Sequence, residues 1–462
     1  MNLRKIAGSA QARRLAEVVL SRGLSTLFSF LLLYVTSQIL SLDEYGLYVF
    51  LFSVGSALGL MAGLGQPMVL VKHFRAAEAC DGRHNASLIR GSARVTGAAV
   101  AVLGMLGSAA FFFGSALPER YEDIHLAAAF AAVFVVSEYL QSFFRVRAQY
   151  WLALGPRENI WRPLASVVLL AGSAFGLSWA GADAFIVVGA SLLVAILPQL
   201  GVYLRQTAGV WRGGGADFGG GRRRLWRREG LYFFAHTGFA ASAAYLETVI
   251  IGLVVGLREA AFFFLVTRLT MLLNLPGVAI ETVGVPRVAE KFRRNDRQGA
   301  QDLIACFSLI AFVLALCGGL VLLIVAPALL GLFNPAFTEH FEVVVIMTLS
   351  VVAHAYYGIG TSALMVGGGE RYYLSYRTML FGPYVACLIG SGWFAGLDGV
   401  ALTSLAFVLI ENVIAARWCL GVKGVDLRAS SFRRAHLVAF SAGSGARHAR
   451  ASESDGGSAF RL

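Results

Sequence analysis

Residues 41–50 read SLDEYGLYVF: a turn-forming Ser, an acidic pair, then a Tyr-Gly-Leu-Tyr run that is already apolar. They interrupt two long greasy stretches, GLSTLFSFLLLYVTSQIL at 23–40 and LFSVGSALGLMAGLG at 51–65. A short polar turn between apolar arms of this length is the mark of a helical hairpin crossing a bilayer, whose core takes about 20 apolar residues per helix. The whole chain agrees. It is 57% hydrophobic and 14% charged, with mean hydropathy +0.68, against roughly 25% charged residues in soluble domains. Backbone in lipid must satisfy its own hydrogen bonds, and unbroken apolar runs point to helices rather than to a barrel with an alternating polar lumen.

Uncharged runs occupy 23–42, 45–71, 95–118, 163–182, 184–204, 303–338, 343–369 and 378–397. Four more carry a few charges: 124–144 with Glu138, 231–257 with Glu247, 259–283 with Arg268 and Glu281 besides its first residue Glu259, and 399–420 with Glu411 and Arg417. The expectation is an all-α integral membrane protein of twelve transmembrane helices. Of the 39 Lys and Arg, 34 fall on one side of that arrangement and two, Arg120 and Arg258, on the other. The positive-inside rule then places both termini in the cytoplasm. The net charge of +12 reports topology and attraction to anionic membrane lipids, not nucleic acid. On this reading residues 41–50 face the external water.

A shift of 215 residues carries Leu42, Glu44 and Tyr48 onto Leu257, Glu259 and Phe263 of GLREAAFFFL (256–265). It also carries Gly181 and Asp183 onto Gly396 and Asp398, Gly104 onto Gly319, and Lys72 onto Arg287. The chain thus reads as two parallel six-helix lobes around a central cavity, a known transporter plan. The N-lobe is 1–206, a Gly/Arg-rich cytoplasmic linker 207–230, the C-lobe 231–422, and a disordered cytoplasmic tail 423–462. The linker segment GGGADFGGGRRRLWRREG (213–230) is flexible by its glycines, with a basic, Trp-bearing end suited to a membrane surface.

The acidic hairpin with its Tyr-Gly-Leu-Tyr run, the degenerate copy after span 7, LVKHF (70–74), VPRVAE (285–290) and the two-half layout resemble the polysaccharide transporters. These are lipid-linked oligosaccharide flippases of the multidrug/oligosaccharidyl-lipid/polysaccharide (MOP) exporter superfamily. The resemblance covers roughly residues 10–422. It implies a bacterial inner-membrane protein that flips an undecaprenyl-pyrophosphate-linked oligosaccharide. It further implies no cofactor, no enzymatic activity, and a polysaccharide polymerase or export machinery as protein partner. Related lipid II flippases generally carry two more C-terminal helices.

A diphosphate crossing lipid needs cations in a wet cavity, and guanidinium groups meet phosphate oxygens in bidentate fashion. Substrate-binding candidates are Arg22 and Arg268 within the spans, and Lys72 and Arg287 at the cytoplasmic mouth. Charges at membrane depth are functional by default, which makes Glu247, Glu138 and Glu411 candidates for ion coupling. Glu247 is placed at a depth matching Arg268, and His354 reads as an interior histidine. Gly55, Gly59 and Gly63 form a small-xxx-small ladder for close helix approach. The five scattered cysteines support neither a disulfide framework nor a metal site. A cation-coupled multidrug exporter would bind through carboxylates in an apolar cavity. A membrane glycosyltransferase or polymerase would need a larger external loop than any here.

Overall fold

The computed structural model describes residues 10–74, 82–114, 118, 121–212, 220–241 and 245–433. The tail from residue 434 and Arg120 lie outside them, as does the side chain of Arg22. Among the described residues there is no strand. The main helices are α1 (Ala10–Ile39), α2 (Leu42–Ala62), α3 (Gln66–His73), α4 (Gly82–Phe112), α5 (Ile124–Val146), α6 (Trp161–Ala174), α7 (Gly181–Arg212) and α8 (Gly220–Ala241). They continue with α9 (Glu247–Val254), α10 (Leu257–Met271), α11 (Leu275–Arg293), α12 (Arg297–Phe333), α13 (Phe341–Tyr356) and α14 (Glu370–Trp418). Seven described helical stretches are long and apolar enough to cross a membrane, with Gly23–Ile39 as a shorter apolar helix. This is an all-helical, multi-pass membrane protein.

The longest of those stretches, Pro335–Lys423, has 89 residues. At 1.5 Å per residue it would run on the order of 130 Å if straight, several bilayers over. Glycines at left-handed φ fold it back: Gly358 at φ 55°, Gly368 at 91° and Gly396 at 57°. Gly396 sits inside α14 with ψ −139°, a conformation closed to residues with a Cβ. It is the position that the 215-residue shift pairs with Gly181, the first residue of α7.

The chain forms two compact units, residues 1–264 and 265–462, with the divide inside α10. In the first, α2 packs on α5 and α7, α4 on α5, and α6 on α1 and α7, while α8 and α9 also lie on α2. Gly55 and Gly59 permit the α2–α5 contact: a Cβ there would lie 2.9 Å from Phe130 Cδ1 and 2.8 Å from Phe134 Cδ1. Gly63 has no such neighbour, its Cβ meeting Leu60 O at 3.4 Å. Around this seam Phe52 stacks or edges against Tyr48, Phe130, Trp161, Tyr245 and Phe264. In the second unit α12 packs on α11 and α13, and α13 on α14. A core there gathers Ile304, Phe307, Leu364, Tyr376, Val425 and Leu427.

Residues 41–50 tie several elements together. Ser41 caps α2 by accepting from the Glu44 N–H at 3.3 Å, and Asp43 and Glu44 occupy the first turn, where carboxylates suit the helix dipole. Glu44 Oε2 accepts from the Gly181 N–H. Asp43 takes a two-pronged ion pair from Arg258 Nε and Nη2, and 258 is 43 shifted by 215. A Cβ on Gly46 would lie 2.6 Å from the Leu257 carbonyl oxygen. The two repeat-related turns therefore meet each other, with the 181 turn as a third member. Behind them Tyr45, Tyr48, Phe50, Phe262 and Phe263 are fully buried.

Candidate functional site

Two polar clusters lie inside the helices, one in each unit. In the first, the chain after α5 passes through a short helix, Tyr150–Leu154, into a π-helical segment, Gly155–Ile160, before α6. The wider π turn, a feature often found at functional sites, carries Arg157, Glu158 and Asn159 against α1 and α5. Arg157 pairs with Glu138 through Nη2 and donates from Nη1 to Gln141 Oε1 at 2.6 Å. Gln141 in turn donates to Glu158 Oε1 at 3.1 Å, and Ser25 donates to Glu158 Oε2 at 2.9 Å. Arg162 donates to Ser25 Oγ at 3.1 Å and to the Glu158 carbonyl at 2.9 Å, and its guanidinium lies over the Trp161 ring. Asn159 donates to Ser21 Oγ at 2.7 Å. Two cations and two carboxylates balance, yet Arg157 Nε and Asn159 Oδ1 are buried without a hydrogen-bond partner. A buried polar atom left so costs about 1–3 kcal/mol, and such atoms mark places where water or a ligand supplies the missing bond.

The second cluster centres on Arg377 of α14. Its Nε and Nη2 reach Glu411 Oε1 and Oε2 at 2.8 and 2.6 Å, a full fork on a carboxylate. His354 of α13 interacts with Glu281, Glu411, Arg377 and Asn412. Glu281 accepts from Ser362 at 2.8 Å, and Tyr373 lies under the Arg377 guanidinium. The pair is partly open, with side chains 21% and 25% exposed. Among the described residues no group of His, Cys, Asp and Glu could hold a metal ion.

Arg377 is Arg162 shifted by 215. Both follow the loop before the eleventh or fifth expected span, and counting by sequence put both among the cytoplasmic cations. Their pairing was available in the same arithmetic that aligned the hairpins.

The sequence-based candidates lie as follows. Glu138 and Glu411 are in the two clusters, each holding an arginine. Glu247 is buried at the start of α9. Arg22 lies on α1. Arg268 on α10 is partly exposed and approaches Met271 Sδ at 3.6 Å. Arg287 is exposed on α11. Lys72 closes α3 and pairs with Glu229 of α8 at 2.8 Å, while His73 meets the other Glu229 oxygen. Burial disfavours the Glu229 carboxylate, but hydrogen bonds from Lys72 and His73 outweigh it and hold the group below the usual glutamate range. Because α8 reaches back to Gly220, its Trp226 is buried beside His73 and His84.

No protein-family model and no curated protein sequence matches the chain. Solved structures do. An inward-facing multidrug resistance MATE-family transporter of the MOP superfamily superposes with a TM-score of 0.66 at 15% identity, over 87% of this chain and 94% of that one. The chain shares the fold of that transporter. Lipid II flippase MurJ, in an inward closed conformation, gives 0.60 at 13% identity over 88% and 86%. A MOP superfamily transporter from Pyrococcus furiosus, described by a binding pocket of reverse polarity that suggests a different function, gives 0.53 at 15% over 87% and 93%. The fold is thus shared by a multidrug resistance transporter and a lipid II flippase.

Proposed function

We propose that this protein is a flippase for undecaprenyl-pyrophosphate-linked oligosaccharides in a bacterial inner membrane, with its termini in the cytoplasm, acting by alternating access. The observation that carries the reading is the arginine at the same repeat position in both units, Arg162 and Arg377, each partly open and each held by displaceable partners. A phosphate oxygen pair has the same bite as a carboxylate, so a diphosphate can take the place of Glu411 on Arg377. The carboxylate released into a site of low polarity then favours a proton or another cation. Glu411 thereby becomes a coupling group through exchange with the substrate, while Glu138, held by Arg157 rather than Arg162, and Glu247, buried on α9, are further coupling carboxylates. Arg22, Arg268, Lys72 and Arg287 serve as entry and pocket cations. The Asp43–Arg258 tie and the Gly46–Leu257 contact hold the acidic hairpins together in this state, and breaking that tie accompanies release on their side.

A second reading, a cation-coupled multidrug exporter, draws on one feature: Glu281, Glu411 and His354 with Tyr373 and Tyr376 also form a cage for an organic cation. Purified protein in liposomes separates the two. A fluorescent polyprenyl-diphosphate saccharide should become accessible on the opposite leaflet faster than in empty vesicles, and slower with Arg377→Ala. Transport of a cationic dye with no movement of the diphosphate lipid would select the exporter.

A further inference from the structure

Near the arginine-rich end of the first unit, α3, α4 and α8 enclose a cavity of about 190 Å³ that plays no part in either cluster. Its polar lining is Arg94, Ser92 and Gln66, with Trp226, Leu88 and Val69 as apolar walls. Arg94 is exposed on a membrane-crossing helix and has no ion pair or hydrogen bond among the described residues. Ser92 is buried, with 2% of its surface exposed. Gln66 is held only by a long 3.4 Å contact to the Leu64 carbonyl. Arg94, Ser92 and Gln66 thus bring donors to one space whose lining holds no carboxylate.

We propose that this cavity binds the phosphate of an anionic phospholipid headgroup. A guanidinium at this depth needs an anion or water, and Arg matches phosphate with two parallel N–H donors. Arg94 lies ten residues beyond His84, about 15 Å along α4. Helical side chains lean toward the N-terminus, so its long stem reaches back toward the Lys72–Glu229 end. Trp226 on the wall is the residue type that sits at headgroup level. The space is below the roughly 300 Å³ at which sites for drug-sized ligands begin. It fits a phosphodiester and is small for a whole oligosaccharide head, which favours a resident lipid over the cargo. Bound there, the lipid ties α8 to α3 and α4 through Trp226 and Gln66. The inference rests on the membrane-protein reading and not on the flippase.

Native mass spectrometry and thermal unfolding of the full chain in neutral detergent test it, with three additions: phosphatidylglycerol, phosphatidylcholine and inorganic phosphate. The expected result is one phosphatidylglycerol retained and an unfolding temperature raised in the wild type, with retention about tenfold weaker in Arg94→Gln and in Ser92→Val. Phosphatidylcholine, which is zwitterionic, should stabilise far less. Equal retention and equal stabilisation in wild type and both variants overturns the proposal, and so does inorganic phosphate reproducing the Arg94-dependent shift, which makes the site one for free phosphate. Because Ser92→Val keeps the charge pattern of α4, it decides the matter if Arg94→Gln does not fold. Neither readout involves transport.

Discussion

The two buried polar clusters occupy matching places in the repeat but solve the same electrostatic problem differently. In the first unit Arg162 leans on a hydroxyl, a carbonyl and an indole ring, and a second arginine, Arg157, takes the carboxylate of Glu138. In the second unit Arg377 alone holds Glu411 with both prongs, with Glu281 and His354 close by. One site is buffered by many partial donors and the other stakes its neutrality on a single guanidinium. On the proposed function, the second unit's cluster is the one in which substrate and coupling carboxylate compete directly.

The largest expected effect follows from that asymmetry. Arg377→Ala leaves Glu411 without its cation in a partly buried site, and breaking such a pair costs roughly 3 kcal/mol. Thermal unfolding should drop clearly, and flipping of a diphosphate lipid should fall about 100-fold, the roughly 3 kcal/mol read as a rate. Arg162→Ala should fall only about tenfold, near 1.4 kcal/mol, because Arg157 stays. Arg377→Ala combined with Glu411→Ala should regain much of the stability and none of the transport. Equal losses at 162 and 377 would break the comparison.

Next in size are the repeat-related turns. A Cβ on Gly46 meets backbone at 2.6 Å, where no side chain can swing away, so Gly46→Val should cost about 1–3 kcal/mol as overpacking. Leu47→Val on the same turn should cost well under that, and the difference in unfolding temperature checks the contact. The Asp43–Arg258 pair is exposed, so Asp43→Asn should leave stability nearly unchanged. Its effect belongs to the working cycle. Cysteines placed beside residue 43 should label faster in Asp43→Asn than in wild type, and slower again in the charge swap Asp43→Arg with Arg258→Asp.

Much of this was legible in the sequence. Apolar run length and charge scarcity yield the helical membrane fold because lipid permits few alternatives. The 215-residue shift located the hairpins that meet at Gly46 and Leu257 and the break at Gly396, since turns need particular residues. The same shift pairs Arg162 with Arg377, but counting cations by loop assigns every arginine near a span end to topology. Arg157 had no signal of its own: a π turn follows from tertiary packing, not from a local pattern. Lys72 reads from sequence as a cation at the cytoplasmic mouth, and its partner Glu229, 157 residues away, is invisible to any reading by periodicity.

The smallest effect concerns that last contact. Glu229 is held in its charged form by Lys72 and His73, so its pKa in the folded protein lies below its value in the unfolded chain, which is about 4.3 for a free glutamate. The folded state therefore binds its proton less readily. The contribution to stability is complete above the unfolded value and is lost as pH falls through the folded one. With Lys72 half exposed, the pair is worth under about 1 kcal/mol. The unfolding temperatures of wild type and Glu229→Gln should differ by a degree or two at pH 7 and converge on acidification below pH about 4. A gap that persisted in acid would mean that Glu229 acts by packing α8 against α3 rather than by charge. The comparison between the units would then sharpen further, because charge would matter only in the two buried clusters.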